Sequence, residues 1–462
     1  MKRIATFITL CLIASPASKV CAGNYRTIDI NDMLIVAADT PREGMDIIQD
    51  MPMGQGSADN VSLLPEEGNA ADDLYGIEGG YFHPYVGIEG AFSDNVYNVD
   101  SDTTSNFLTT ISPGIWLSLP RKQEIPVEIT PHNAAPGGVS LQGGDYDGTD
   151  KYQLYALAGS DLLFYSEDSD LNSVDVGLEG MGRYNMGNGL SLQLQDRYGI
   201  GHDGFAVGVA TDSNSREYEN NIIMATADWD ITEKLRFKSD FSNFYLNYDE
   251  DINAFLDRQD NSVDVYGFYK YSPKSSLFLE YRYIDVAYDT DSDSDNNQNF
   301  YYGGFRWDTT QKLNLSFKAG LQQKEYDSSE YSSSDNLALD LQALYRFTEK
   351  TQVSLDLYRL NEESDSTDAS EKEVLGVSLG YTQRFTEKIT GNLDLFYENA
   401  DYAQLVDTDR TDDTFEIKPA VQYLFRDWLM AELSYSFEMD DSSDDTFDYE
   451  TNTVYMSLNF AL

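Results

Sequence analysis

The stretch Leu337-Ala338-Leu339-Asp340-Leu341-Gln342-Ala343-Leu344-Tyr345-Arg346-Phe347-Thr348-Glu349-Lys350 contains the pattern that decides the fold. Apolar side chains alternate along it with Asp340, Gln342 and Arg346, the period of two expected of a strand with one apolar face. Its last four residues return as Phe385-Thr386-Glu387-Lys388, 38 positions later. Two strands, one short turn and one long loop account for this spacing, so the pattern predicts repeated hairpins beyond about residue 150.

The total length of the region that repeats distinguishes between two kinds of all-β fold. A soluble sandwich also alternates, but such a domain holds its strands in about 100 residues. Here the pattern runs without a linker for about 300 residues, longer than one such domain. Aromatic residues also collect beside the turns, as in the girdles of membrane barrels. They are Tyr345, Phe347, Tyr381, Phe385, Tyr423, Phe425, Trp229, Trp307 and Trp428. The sequence therefore predicts an all-β, transmembrane antiparallel β-barrel.

Eighteen strands can be counted between residues 80 and 462. Every short turn falls between an even strand and the next odd one, which places the short turns and both termini in the periplasm and the long acidic loops outside the cell. Sixteen or twenty strands are alternatives, because the Pro- and Gly-rich residues 121–150 could hold two more strands or an insert into the lumen. Pro419 predicts a β-bulge, since proline cannot donate a ladder hydrogen bond.

The N-terminus predicts export. Residues 1–22 have a basic start, an apolar stretch and small residues at Val20-Cys21-Ala22, the pattern of a signal peptide cleaved after Ala22. Both cysteines, Cys11 and Cys21, lie inside it, so the exported chain would contain none. Residues 23–78 have no sustained period and are expected to form a partly disordered periplasmic extension, before a barrel over residues 79–462. The predicted location is the outer membrane of a Gram-negative bacterium, reached by Sec export.

Composition limits the partners. The chain has 80 Asp and Glu against 31 Lys and Arg, a formal charge of −49, yet 13% of it is aromatic. The aromatic content argues against a wholly disordered chain, and the acidity excludes nucleic acid as a partner. After residue 22 there is no run of about 18 apolar residues, so no helical span is expected.

Much of the acid lies in the long loops, where Asp289, Asp291, Asp293 and Asp295 are candidates for binding cations. Their spacing starts like a calcium loop, but Asn296 and Tyr302 stand where an EF-hand needs Gly and Glu. A solvated rim that tolerates divalent ions and a specific calcium site both remain open.

The positions that face the lumen carry a second set of candidates near the periplasmic strand ends: Arg183, Arg236, Lys238, Lys270, Arg306, Arg346 and Arg384. Acidic residues interleave with them, so one interpretation is cross-strand salt bridges. The other is a basic ring that gathers an anionic solute. Tyr358, Phe268 and Phe278 could stack on sugar rings.

Catalysis has little support in the sequence. His83, His132 and His202 are the only histidines, and none is paired at metal-ligand spacing. No catalytic residue, metal or cofactor is predicted. A barrel hydrolase that depends on His202 or His83 is the remaining enzymatic alternative.

The segment Pro84-Tyr85-Val86-Gly87-Ile88-Glu89-Gly90-Ala91-Phe92-Ser93-Asp94-Asn95-Val96-Tyr97 resembles the first strand and Ser-Asp-Asn turn of an outer-membrane β-barrel porin family associated with exopolysaccharide clusters. The resemblance implies a non-catalytic conduit for exported polysaccharide or other solutes. Its implied partners are outer-membrane lipid and lipopolysaccharide, the solute, and periplasmic export components. The acidity and residues 121–150 depart from the family pattern. A non-conducting structural or adhesive barrel is the second hypothesis, and no oligomeric state is predicted.

Overall fold

The computed structural model describes residues 81–120, 131–139, 151–167, 169–203, 216–272, 274–290, 293–310, 312–329, 331–364, 369–404, 410–426 and 428–461. These residues form eighteen strands. The strands are Phe82–Ser93 (β1), Asn106–Leu119 (β2), Tyr152–Tyr165 (β3), Ser173–Asn185 (β4), Leu190–Asp203 (β5), Arg216–Asp230 (β6), Leu235–Tyr248 (β7), Arg258–Ser272 (β8), Ser275–Tyr288 (β9), Asn296–Thr310 (β10), Leu313–Tyr326 (β11), Ser334–Thr348 (β12), Thr351–Glu363 (β13), Ala369–Arg384 (β14), Ile389–Gln404 (β15), Arg410–Arg426 (β16), Leu429–Ser442 (β17) and Tyr449–Ala461 (β18). Short 3-10 helices lie at Pro136–Gly138, Ser169–Leu171 and Asp251–Leu256.

The sheet closes on itself. Each strand pairs antiparallel with the next in sequence, and β1 pairs with both β2 and β18, for example Tyr85 opposite Ala461. β2 pairs directly with β3, from Leu108 opposite Tyr165 onward, so no strand lies between these two in the sheet. The predicted eighteen-stranded barrel is confirmed, and the alternatives of sixteen and twenty strands are wrong.

Period-two alternation produces the two faces of the wall. On β9, Leu277 and Leu279 point outward and are 52% and 72% exposed, whereas the alternate residues Phe278 and Glu280 are 5% and 4% exposed. Apolar side chains on the outer face suit a hydrocarbon environment, and the polar ones are left to the interior. The described residues include no helix long and apolar enough to cross a membrane.

The repeated turns share a threonine cap. Thr348 Oγ1 accepts a hydrogen bond from the Lys350 backbone N–H at 3.1 Å, and Thr386 Oγ1 accepts one from Lys388 at the same distance. Thr232 Oγ1 accepts one from Lys234 at 3.2 Å. These local bonds satisfy backbone groups that the ladder leaves free, which explains why Thr recurs there. We call the rim with these turns the short-turn end and the opposite rim the long-loop end.

Two details of the strands differ from the sequence prediction. The predicted bulge at Pro419 is wrong: the β16–β17 pairs stop after Ile417 opposite Phe437 and resume at Ala420 opposite Ser434 in the same register, so no residue is inserted. The ladder also extends further toward the long-loop end than the apolar alternation, because β8 begins at Arg258 whereas its apolar residues alternate only from Val263. Beyond the hydrocarbon the outer face turns polar, so the apolar alternation ends before the ladder does.

The predicted signal peptide, residues 1–22, and the predicted extension, residues 23–78, lie outside the described residues. Both remain predictions.

Candidate functional site

The lumen contains residues 131–139, which we call the lumen segment. It lies between β2 and β3, two strands joined at the short-turn end. A bridge pairs Pro131 with Val139, and Ala135 N–H donates to the His132 carbonyl at 3.1 Å. Gly137 and Gly138 have φ of 78° and 70°, left-handed values that favour glycine. The segment is therefore a compact turn whose shape depends on its Pro-Gly-Gly sequence.

The partners of the lumen segment lie at the long-loop end. Gly137 N–H donates to Asp260 Oδ2 at 2.9 Å, and Arg258 Nη2 donates to the Ala135 carbonyl at 3.0 Å. The backbone N–H of Glu363, the last residue of β13, donates to the Ala134 carbonyl at 3.0 Å. Among the alternatives for residues 121–150, the described part agrees with an insert into the lumen.

An apolar cluster also holds the lumen segment. Val139 packs with Ile222, Phe244 and Leu246, which are 0–1% exposed. A Cβ on Gly138 would lie 2.0 Å from the Phe244 ring, so only glycine fits this approach. Backbone bonds and close packing together fix the segment against β6, β7 and β8.

Ion pairs cover the wall formed by β6 to β11. Arg236 makes two bonds of 2.7 Å to the carboxylate of Asp228. Three further ion pairs lie on this wall: Lys238 with Asp240 at 3.4 Å, Arg282 with Asp264 at 2.7 Å, and Lys318 with Glu280 at 3.1 Å. The side chains of the last three pairs are at most 5% exposed. A buried charge needs such a partner, because desolvation otherwise penalises it strongly.

The seven predicted basic residues occupy different surroundings. Arg236 and Arg306 come together over Phe268, with guanidinium carbons 5.2 and 5.0 Å from the ring centre. Lys270 lies at the rim, 3.0 Å from Asp230. Arg183 donates to Asn185 and Ser191 at 3.1 Å, while Arg346 and Arg384 are half-buried on β12 and β14. Lys238 belongs to the ion-paired wall.

The three predicted aromatic residues also lie on the lumen side. Phe268 and Phe278 are 3% and 5% exposed, with ring centres 5.5 Å apart and Arg306 over both. The Tyr358 ring covers Gly376, where a Cβ would lie 2.0 Å away, and its hydroxyl donates to Glu398. Aromatic side chains thus occupy both the β8–β9 wall and the β13–β14 wall.

Sequence reasoning missed several basic residues of the lumen, among them Arg258, Arg282, Lys318 and Lys324. Lys324 is fully buried and lies 3.0 Å from Glu363 and 3.7 Å from Glu371. Glu363 also accepts hydrogen bonds from Tyr288 at 2.8 Å and Gln298 at 2.6 Å. The parity of Arg282 and Lys318 within their strands was the signal that could have identified both.

A second wall, formed by β16, β17 and β18, is rich in acid. Glu416 lies directly opposite Glu438, and Ser436 donates to Glu416 at 2.7 Å. Gln422 donates to Glu432 at 2.9 Å. The Lys418 ammonium lies 4.9 Å from the Tyr455 ring centre.

The acidic loop candidates have partly structural roles. Asp295 Oδ1 accepts the Tyr288 backbone N–H at 2.7 Å, Asp289 N–H donates to the Asp257 carbonyl at 2.9 Å, and Asp291 lies outside the described residues. In a neighbouring loop, hydrogen bonds from the Thr446 hydroxyl and N–H lower the pKa of Asp444. No group of three or more His, Cys, Asp or Glu within the described ranges is arranged to hold a metal ion.

The histidines lie apart. His83 stacks on Trp116 with ring centres 3.9 Å apart, and His132 belongs to the lumen segment. His202 Nδ1 is 2.6 Å from Asp175 Oδ1, and its Nε2 is 3.6 Å from Glu217. Carboxylates thus flank His202 on both sides.

An apolar outer face around a polar, ion-paired lumen defines a porin-like outer-membrane β-barrel. The model of a family described as "Putative beta-barrel porin 2" matches residues 150–462, and the chain belongs to that family. The short-turn end is accordingly periplasmic and the long-loop end extracellular. Family membership indicates a channel rather than an enzyme. The segment Pro84 to Tyr97 lies before the matched residues.

Comparison with solved structures gives neighbours of low sequence identity. The chain is similar to Pseudomonas aeruginosa OccK2 (OpdF), at 11% identity and a TM-score of 0.44, covering 82% of this chain and 98% of that one. Acinetobacter baumannii OccAB3 gives 10% identity and a TM-score of 0.42, covering 82% and 99%. A bacterial polysaccharide outer membrane secretin gives 9% and 0.32, covering 82% and 98%. No curated protein matches the sequence.

Proposed function

We propose that the protein is a conduit for exported exopolysaccharide or other solutes. The observation that carries this proposal is the polar face inside the closed barrel, which continues from Arg236 near the periplasmic end to Glu363 at the extracellular end. Carboxylates and amides hydrogen-bond to sugar hydroxyls, and the rings of Tyr358, Phe268 and Phe278 offer stacking surfaces. The proposed partners are outer-membrane lipid and lipopolysaccharide, the solute, and periplasmic export components.

Planar-bilayer recording of the purified full-length protein tests the channel. We expect stable unitary steps, and block by neutral oligosaccharides that lengthens with chain length because each added sugar makes further contacts in the lumen. Steps that sugars of every length leave unaffected would reject the polysaccharide cargo and keep a channel for small solutes.

The basic residues near the periplasmic end are proposed to attract anionic solute. Two facts support this role for Arg346 and Arg384: they face the lumen near its periplasmic mouth, and both are half-buried. Changing both to Glu should shift ion selectivity toward cations. If the reversal potential of the variant equals that of the unmodified protein, the basic residues near the periplasmic end form salt bridges and do not select ions.

A non-conducting structural or adhesive barrel is the second candidate. The lumen segment favours it, since hydrogen bonds to β8 and β13 hold the segment inside the lumen. Asp289, Asp291, Asp293 and Asp295 would then bind cations or matrix from the loops. A scaffold should show no conductance steps even when the lumen segment is prevented from docking.

We infer that the protein does not catalyse a reaction. In a serine hydrolase the histidine Nε2 faces the nucleophile, whereas among the described residues the Nε2 of His202 faces Glu217. Hydrolytic activity that disappears on changing His202 or His83 to Ala would overturn this inference.

A further inference from the structure

The lumen segment reaches across the barrel from one wall to the opposite one. β6 and β13 stand seven places apart in a ring of eighteen strands, so they lie on opposing parts of the barrel wall. Asn220 of β6 donates to Asn133 Oδ1 at 3.1 Å. Glu363 of β13 donates its backbone N–H to the Ala134 carbonyl at 3.0 Å. Near the extracellular end, the segment therefore occupies the middle of the lumen.

We propose that the lumen segment is an autoinhibitory element of the channel, and that the Arg258–Asp260 pair is the latch that holds it. This inference rests on the proposed channel function and adds its regulation. A solute moving along the lumen meets the segment before it reaches the extracellular loops. Passage of a polymer requires the latch to open and the segment to leave the extracellular end.

The latch has the geometry of a two-point clamp. Arg258 Nε and Asp260 Oδ1 are 3.3 Å apart, and both side chains are at most 1% exposed. Arg258 donates to the Ala135 carbonyl and Asp260 accepts from Gly137 N–H, so adjacent lumen-facing positions of β8 bind the segment on either side of Pro136. A charge on one partner of each hydrogen bond makes these bonds stronger than neutral ones.

The composition of the segment suits release. Ala134, Ala135, Pro136, Gly137 and Gly138 have no long side chains to interlock with the wall, so the attachment depends on the clamp, on the hydrogen bonds from Glu363 and Asn220, and on the apolar cluster around Val139. Both ends of the β2–β3 connection lie at the periplasmic end. Once the clamp opens, the segment can withdraw in that direction.

Two pairs of variants of the full-length protein test the latch by single-channel recording. Asp260→Ala removes one arm of the clamp, and its control Asp285→Ala removes the same charge from the exposed outer face of the neighbouring strand β9. Gly138→Val prevents docking, because a Cβ there would lie 2.0 Å from the Phe244 ring. Its control is Gly267→Val, where a Cβ would meet nothing within 4 Å. Heat-modifiable gel migration identifies the folded barrels.

We expect a low conductance in the unmodified protein and in both controls, and a several-fold higher conductance in Asp260→Ala and Gly138→Val. Unmodified and docking-deficient proteins of equal conductance would overturn the inference and leave the channel function in place. Absence of steps in every folded variant would overturn the channel function, and the inference with it.

Discussion

Burial should decide which lumen ion pairs stabilise the barrel. Arg282 Nε and Asp264 Oδ1 are 2.7 Å apart and each side chain is 4% exposed. Lys270 Nζ and Asp230 Oδ1 are 3.0 Å apart, but these side chains are 39% and 54% exposed. The distances are nearly equal, so substituting the acid in each pair isolates the effect of solvent.

The expected cost differs for the two pairs. Removing one partner of a buried pair costs about 3–5 kcal/mol, because the remaining charge is left without water. Glu280 stays 3.8 Å from Arg282. Asparagine also keeps an oxygen that can accept from Nε, so we expect Asp264→Asn to cost about 2–3 kcal/mol. Water screens the rim pair, so Asp230→Asn should cost less than about 1 kcal/mol.

Equilibrium unfolding in urea from lipid vesicles, followed by tryptophan fluorescence, measures both values. The denaturation slope should be the same in the two variants, since the area exposed on unfolding is nearly unchanged. Equal losses for Asp264→Asn and Asp230→Asn, or a larger loss for the rim variant, would refute the argument from burial. Raising the salt concentration should weaken the rim pair more than the buried one.

Three further outcomes are expected. Leu279→Arg, on an outer-face side chain that is 72% exposed, should cost about 2–4 kcal/mol in vesicle unfolding, and the loss should shrink in thinner bilayers. Gly376→Ala should cost about 1–3 kcal/mol through its clash with the Tyr358 ring, and combining it with Tyr358→Ala should cost less than the sum of the two changes. Thr446→Val should raise the pKa of Asp444, as measured by carboxyl NMR, because it removes the hydroxyl that donates to this carboxylate. The stability that depends on the lowered pKa of Asp444 is fully present above the ordinary aspartate pKa. It is lost as the pH falls through the lowered pKa of Asp444.

The strands could be predicted from the sequence because each one carries its own evidence. Alternation in Leu337 to Phe347 marks a strand with one apolar face, and the Phe-Thr-Glu-Lys turn marks its end. In an up-and-down barrel the neighbours in sequence are also the neighbours in space, so no long-range pairing had to be guessed. Among the strands that the structure describes, closure by β1 and β18 was the only non-local pairing.

The lumen was harder to predict because its ion pairs depend on register. Asp264 lies directly opposite Arg282, and Asp228 pairs with Arg236 across the β6–β7 turn. The sequence identifies the face on which each charge lies, but a shift of two residues between strands would keep that face and change every partner. The lumen segment had no periodic signal, and its contacts span up to 229 residues of sequence, from Ala134 to Glu363.

The apolar residues on the outer face of β9 cover a length similar to the thickness of the membrane's hydrocarbon layer. Its outward side chains are apolar or aromatic from Leu277 to Tyr283 and become acidic at Asp285. From Ser275 to Asp285 the strand rises about 33 Å, or about 25 Å along the membrane normal at a tilt of about 40°, which matches the apolar band of such barrels. The Tyr281 hydroxyl donates to Asn299 at 2.8 Å near this upper boundary. The length of the apolar pattern therefore corresponds to the thickness of the hydrocarbon layer. The strands continue beyond this layer toward the long-loop end, and the contacts that hold the lumen segment lie on that continuation.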